Sequence, residues 1–334
     1  AALHVTSRWA ERPYSKMAAP MELYCWRGDW GLPSADLDCL TVLTYAKFSG
    51  APLKVHKLWN PWRSPSGRLP ALKTRQDGVI FQTSKIITHL KKQKYNADYD
   101  LSAKQAADTL AFISLLEEKL LPALIHTFWV DAKNYVDHTR KWYAETIPFP
   151  LNFFIPNQMH KRHLERLQLI RGESWREDDE TLEKQLYTDA LECLTLLSQR
   201  LGTHRFFFGD SPASLDAYIF SHLALVLNVK LPSSRLQQHL RSLPNLCQYC
   251  ASILTIYFTR DGETFPRLSP KSPTAESSDY EEEPNKRRNQ ILSVAVGLLA
   301  MVGYALLSGI VSIQRVSEDK AVELGLALEE DEED

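Results

Sequence analysis

Three groups of side chains have the types and spacing to do chemistry. Ser34 follows Pro33 at the end of the loop Trp26-Arg27-Gly28-Asp29-Trp30-Gly31-Leu32-Pro33-Ser34 and is the one hydroxyl there placed to act; Tyr24 and Cys25 belong to the strand before it. Asp29, Asp36 and Asp38 nearby repel a developing thiolate, and the other role open to Ser34 is to form the turn or cap a helix. Cys247 and Cys250 have redox-pair spacing, but a redox pair needs its first thiol at a helix N-terminus after a strand. Both fall inside an expected helix with Leu246, Tyr249 and Ile253, so they read as core thiols. A zinc site needs two further ligands at metal spacing, and none stands nearby. His160 and His163 share a helix face with Lys161 and Arg162 around them and read as a solvated face. No catalytic, cofactor-binding or metal residue is assigned.

The elements that would position these groups follow from the hydrophobic pattern. Met21 to Trp26 alternates as a strand. Asp36 caps a helix from Leu37 to Phe48 that closes at Gly50, and Lys54 to Leu58 is a second strand at the spacing of a parallel crossover. Asp77-Gly78 is a hairpin turn between Leu72–Lys73 and Val79-Ile80-Phe81, and Thr83 or Ser84 caps the next helix. The order β-α-β-β-β-α is that of a thioredoxin-like domain, expected over residues 17–98.

From residue 99 to 258 the pattern is helical. Ser102 to Lys119 carries Ala106, Leu110, Ile113 and Leu116 at helical spacing, with Pro122 expected to kink or interrupt the run. A helix is expected over Asn134 to Thr146. Ile147 to Pro156 (IPFPLNFFIP) is too rich in proline for a helix interior and reads as a packed connection. A basic helix, Asn157 to Arg171, and a long amphipathic one, Glu180 to Leu201, come next. The helix after Asp216 is buried, with Ile219, Phe220, Leu223 and Leu227, and two more are expected, over Ser233 to Arg241 and Asn245 to Phe258.

Ile291 to Ile313 is 23 residues without a charge. About 20 apolar residues match a hydrocarbon core of roughly 30 Å, so a single membrane helix is expected there rather than a buried core helix. Gly297, Gly303 and Gly309 moderate its hydrophobicity; Lys286, Arg287 and Arg288 precede it and Arg315 follows. Ala305 with Gly309, and Ser308 with Ser312, are small pairs able to pack on another helix. Residues 259–289 have linker composition. Residues 314–334 hold nine acidic and two basic side chains, a charge of −7. The chain's net charge is −2 and 259–289 carries −1, which leaves +6 on residues 1–258. That excess is modest and spread out, which excludes a nucleic-acid surface. Five cysteines fit a reducing compartment. Residues 1–16 lack the apolar core of a secretory signal and are expected to be a disordered extension. The expected topology is tail-anchored, with the body in the cytosol.

Leu69-Pro70-Ala71-Leu72, before a strand and hairpin, resembles the cis-proline turn of the glutathione-transferase family. Arg205 to Tyr218 (RFFFGDSPASLDAY) is similar to the turn entering the central helix of that family's α domain, Gly-Asp-x-Pro-Thr-x-x-Asp. Gly209, Asp210, Pro212 and Asp216 match; Ala213 replaces the capping Thr, which Ser211 or Ser214 could offset. That family places a Tyr, Ser or Cys after its first strand to stabilise the glutathione thiolate, so Ser34 is the candidate. Ser84 matches the serine that holds a glutathione carboxylate, with Thr83 where Glu or Gln is usual; a helix cap is the alternative. Together with MELYCWRGDWGLPSADLDCL at 21–40 and FFFGDSPASLDAYIFSHL at 206–223, the whole from Met17 on resembles the metaxins, in their tail-anchored type. The resemblance implies a fold of thioredoxin-like domain, all-α domain and one C-terminal transmembrane helix. It also implies a role without catalysis or cofactor: a subunit of the sorting and assembly machinery of the mitochondrial outer membrane, aiding import and β-barrel insertion. Its partners would be a second metaxin, the β-barrel subunit of that machinery and the lipid bilayer. The alternatives are a membrane-tethered glutathione transferase or reductase using Ser34 or a cysteine, and a scaffold that recruits cytosolic partners.

Overall fold

The computed structural model describes residues 21–75, 77–172, 180–232 and 234–258, and six positions from 294 to 304. The chain divides into two compact units, Ala1–Leu268 and Ser269–Asp334.

The first unit opens with β1 (Met21–Trp26), whose inward residues Leu23, Cys25 and Trp26 are buried. Helix α1 (Leu37–Ser49) starts where Asp36 Oδ2 accepts the backbone N–H of Cys39 at 2.9 Å and ends on left-handed Gly50. Every residue from Cys39 to Ala46, more than two full turns, is buried. The helix returns the chain to β2 (Leu53–Leu58), parallel to β1. β3 (Ala71–Lys73) and β4 (Val79–Ile80) complete a sheet of order β2-β1-β3-β4, with β3 antiparallel to both its neighbours. The Leu69–Pro70 peptide bond is cis at the entry to β3.

Helix α2 (Thr83–Lys92) corrects one expectation. Its N-cap is Gln82, without a side-chain bond. Thr83 Oγ1 instead donates to Asp38 Oδ1 at 3.1 Å, because α1 presents a carboxylate, a stronger acceptor than any backbone group in reach. Ser84 is exposed.

The helical part begins with α3 (Ala103–Leu115), held by a capping box of Ser102 and Gln105. The α-helical run breaks off just ahead of Pro122, as the proline predicts. A π-helical turn, Leu116–Leu120, leads into α4 (Leu121–Ile125), and Leu121 donates its N–H back to the Leu116 carbonyl. The wider turn shifts the hydrogen-bond register where proline has no N–H to give. A second π turn, His126–Val130, precedes α5 (Ala132–Asn134), and a third, Tyr135–Arg140, precedes α6 (Lys141–Thr146).

The segment from Ile147 to Pro156 departs from the packed connection expected. Ile147, Ile155 and Pro156 are buried, but Phe149, Phe153 and Phe154 are exposed. Two prolines and a 3-10 turn, Leu151–Phe153, hold the chain in a projecting bend. Helix α7 (Ile155–Arg171) follows, then α8 (Glu180–Leu201), α9 (Ser214–Asn228), α10 (Arg235–Arg241) and α11 (Pro244–Ile253). α9 is the central helix, with twelve buried residues, and packs on α1, α3, α10 and α11. One continuous core, from Leu23 and Cys39 to Leu223 and Ile253, joins the sheet to these helices.

Among the described residues, no helix is long and apolar enough to cross a membrane. The span expected at Ile291–Ile313 lies largely outside them. Val294, Gly297, Leu298, Ala300, Met301 and Tyr304 are helical. Ile291, Gly303, Gly309 and Ile313, and the flanking Lys286, Arg287, Arg288 and Arg315, are not among the described residues.

Candidate functional site

The place to look for chemistry is the N-terminus of α1, where the loop from β1 meets the helices. The loop is pinned from both sides: Arg27 donates its N–H to Leu58, Leu32 to Asp29, and Ala35 to Arg27. Gly28 allows the closest approach, since a Cβ there would lie 2.1 Å from the Leu32 carbonyl oxygen. Trp30, with φ of 54°, sits in left-handed conformation beside Gly31 at 76°. That turn throws the indole of Trp30 onto His138 and Trp142, at ring distances of 5.2 and 5.1 Å. Asp29 anchors it: one carboxylate oxygen accepts the Trp30 N–H at 2.6 Å, the other the Trp142 ring N–H at 2.5 Å.

Ser34 is fully buried, and its hydroxyl accepts the N–H of Asp36 at 3.3 Å. It forms the turn and presents nothing to a ligand. Asp36 occupies the helix N-terminus, the position where partial positive charge would favour a bound anion. Burial, together with Asp38, pushes the Asp36 carboxyl up to about 6. Cys25 and Cys39 lie beneath, both buried, and Trp26 donates its N–H to Cys39 Sγ at 3.4 Å. Burial raises the Cys39 thiol well above its usual range.

Beyond Asp36 lies a cavity of about 80 Å³ walled by Trp30, Leu37, Leu124, Phe128, Trp142 and Tyr143, among others. His138 and His163 also face it. His163 is not on a solvated face as expected. It stacks on Trp129 at 4.2 Å and 20°, and burial, helped by Arg166, lowers it to about 3. His160 lies on Tyr135 at 4.5 Å. Both are held by the aromatic wall that the π turns bring against α7.

The other candidates are spread out. Cys247 and Cys250 both lie in α11; Cys250 is buried and Cys247 half-buried, its thiol donating to the Leu240 carbonyl at 3.4 Å. Gly209, with φ of 125°, and Pro212 belong to the turn before α9, and Asp210 is exposed. Asp216 ties that turn together: its carboxylate accepts N–H groups of Phe207 and Ala213, at 3.1 and 2.9 Å, and the Tyr249 hydroxyl at 3.1 Å. Neither Ser211 nor Ser214 acts as N-cap; Asp98 reaches across instead and accepts from both the N–H and the hydroxyl of Ser214. Among the described residues no cluster of His, Cys, Asp or Glu could hold a metal ion.

A family model described as an outer mitochondrial membrane transport complex protein matches residues 39–160, and one described as a glutathione S-transferase C-terminal domain matches 190–253. Metaxin-1 of Mus musculus is 67% identical over 323 residues, covering 95% of this chain and all of the mouse protein. The chain belongs to the metaxin family. Metaxin-1 of Sus scrofa is 68% identical over 320 residues, and Metaxin-3 of Xenopus laevis 51% over 241 residues, 72% of this chain and 78% of that protein. A solved glutathione transferase from Phanerochaete chrysosporium is 13% identical, with a TM-score of 0.48 over 71% of this chain and 96% of that one.

The chemistry open to this metaxin follows from what fills the site. Ligand pockets are commonly about 300 Å³ or larger, and the cavity here is about 80 Å³. No lysine or arginine lines it. The thioredoxin-like sheet with its helical partner is a glutathione-transferase-like fold. Sequence reasoning missed Trp30, His138 and Trp142. The signal was the Gly-Asp-Trp-Gly run itself, since a tryptophan between two such residues is forced out of regular structure.

Proposed function

We propose that this metaxin is a non-catalytic subunit of the sorting and assembly machinery of the mitochondrial outer membrane, aiding protein import and the insertion of β-barrel proteins. On this reading residues 17–98 and 99–258 form a body facing the cytosol. Residues 259–289 tether it to a single-pass anchor at 291–313, followed by an acidic tail at 314–334. The partners are a second metaxin and the β-barrel subunit. The observation that carries the reading is the filled α1 N-terminus: Ser34 is buried and Asp36 stands in the anion position. A chain of this family with that site closed keeps its fold for surfaces rather than for catalysis.

The test is affinity purification of the full-length protein from gently solubilised membranes, with a control truncated before Ile291. Stoichiometric recovery of a second metaxin and a β-barrel assembly protein is the expected outcome. Recovery of the protein alone would sink the proposal. The match to a transferase C-terminal domain favours a second reading, a tethered glutathione-dependent transferase. Binding of glutathione by the purified protein would move that reading ahead.

A further inference from the structure

The bend between α6 and α7 exposes three phenyl rings. Phe149, Phe153 and Phe154 are 67%, 61% and 65% exposed, and Phe149 and Phe153 pack edge to face at 6.1 Å. An exposed aromatic cluster of this kind marks a contact site. The bend is held in shape: Leu151 donates its N–H to Pro148, Phe153 to Pro150 and Phe154 to Leu151, and Asn157 Nδ2 donates to the Phe153 carbonyl. Buried Ile147 and Ile155 anchor both ends.

Charge complementarity indicates what covers it. From residue 146 to 164 there is no acidic side chain. Phe154 is the N-cap of α7, and Lys161 and Arg162 follow it at seven and eight residues on the same face, both exposed. Lys161 has only a surface pairing with Glu165, at 3.9 Å, worth little in water. Seven residues of helix rise about 10 Å. That is the order of depth over which an interfacial side chain sinks below lipid headgroups, with cations left among the phosphates.

We propose that the Phe149–Phe154 bend, with Lys161 and Arg162 above it, is a contact site for the surface of an anionic bilayer, the phenyl rings entering the headgroup–acyl boundary. The proposal rests on the reading that the chain is held at a membrane, and it adds a second contact that would fix the body's orientation there.

The test uses the full chain with Cys247→Ala and Phe153→Cys, labelled with an environment-sensitive fluorophore, and Tyr99→Cys as a control at another exposed position. The four remaining native cysteines are buried. The protein is added to vesicles of phosphatidylcholine alone or mixed with phosphatidylserine, with and without brominated acyl chains. The expected result is a blue-shifted, bromine-quenched signal at 153 but not at 99, stronger with phosphatidylserine and lost in Lys161→Glu/Arg162→Glu. Water-like emission at 153 on vesicles that carry the protein overturns the proposal while leaving the anchor intact. Failure of the protein to co-float, with no signal change, overturns both. Shielding at 153 only when membrane partners co-purify, without bromine quenching, assigns the bend to a protein groove and also overturns it.

Discussion

Asp98 accepts two hydrogen bonds from Ser214, each at 2.6 Å, one from its backbone N–H and one from its hydroxyl. The two residues are 116 positions apart in the chain. Asp98 also pairs with Lys91 of α2 at 2.5 Å. One carboxylate therefore closes the N-terminus of the central helix α9, where Ala213 offers no side-chain cap, and ties it to the end of the sheet-bearing part.

Removing that carboxylate leaves buried donors on Ser214 unpaired. Asp98→Ala should cost about 2 kcal/mol, a fall in Tm of about 4–8 °C for a body of this size. Ser214→Ala should cost about 1 kcal/mol, and the double variant less than the sum. Thermal unfolding of the detergent-solubilised full chain measures all three. An additive double variant would show that the two residues do not act together.

The loop before α1 should be intolerant at Gly28. A methyl there would lie 2.1 Å from the Leu32 oxygen and 2.7 Å from the Pro33 carbonyl carbon, both backbone atoms that can yield only by moving the loop. Gly28→Ala is expected to destabilise by about 2–4 kcal/mol and to alter the fluorescence of Trp30. A variant as stable as the parent would mean that the loop moves aside at little cost.

Acid should weaken the fold through His163. Held at about 3 by burial against Trp129, it stays neutral in the folded state while the unfolded chain gains its proton below about 6.5. Stability therefore falls as pH drops through 6.5, by up to about 1.4 kcal/mol per pH unit. His222, lowered to about 4 by burial, acts in the same direction. Asp36 and Asp216, both raised to about 6 by burial, act oppositely: their contribution is full below about 3.8 and is lost as pH rises through 6. His163→Phe keeps the stack and leaves the other groups in place. Between pH 6.5 and 5 it should lose about 1–2 kcal/mol less than the parent. Equal slopes in denaturant titrations would refute the assignment.

Glutathione should not bind. Ser34→Ala should leave any thiol-transfer background unchanged, because the hydroxyl is fully buried on the Asp36 N–H. Calorimetry with millimolar glutathione measures binding directly. Saturable heat, weakened by Ser34→Ala, would reopen the enzymatic reading.

Local chemistry was legible in the amino-acid sequence alone. The alternation of Met21–Trp26, the Asp36 cap, the Gly50 stop and the Asp77-Gly78 turn each depend on residues within a few positions of one another, and each is found in place. The long apolar run at 291–313 is likewise a property of sequence, and a structure of the body adds nothing to it. Tertiary structure decided the rest. Thr83 faces Asp38, 45 residues away; Asp98 caps α9; and His160 and His163 lie on Tyr135 and Trp129 instead of in water. Whether Ser34 faces a ligand or the core depended on how tightly the loop closes over Gly28. Whether the phenylalanines of 149–154 are packed depended on which helices leave them uncovered. A sequence pattern states what a side chain can do with its neighbours in the chain, but burial and partner choice are set by residues brought from a distance.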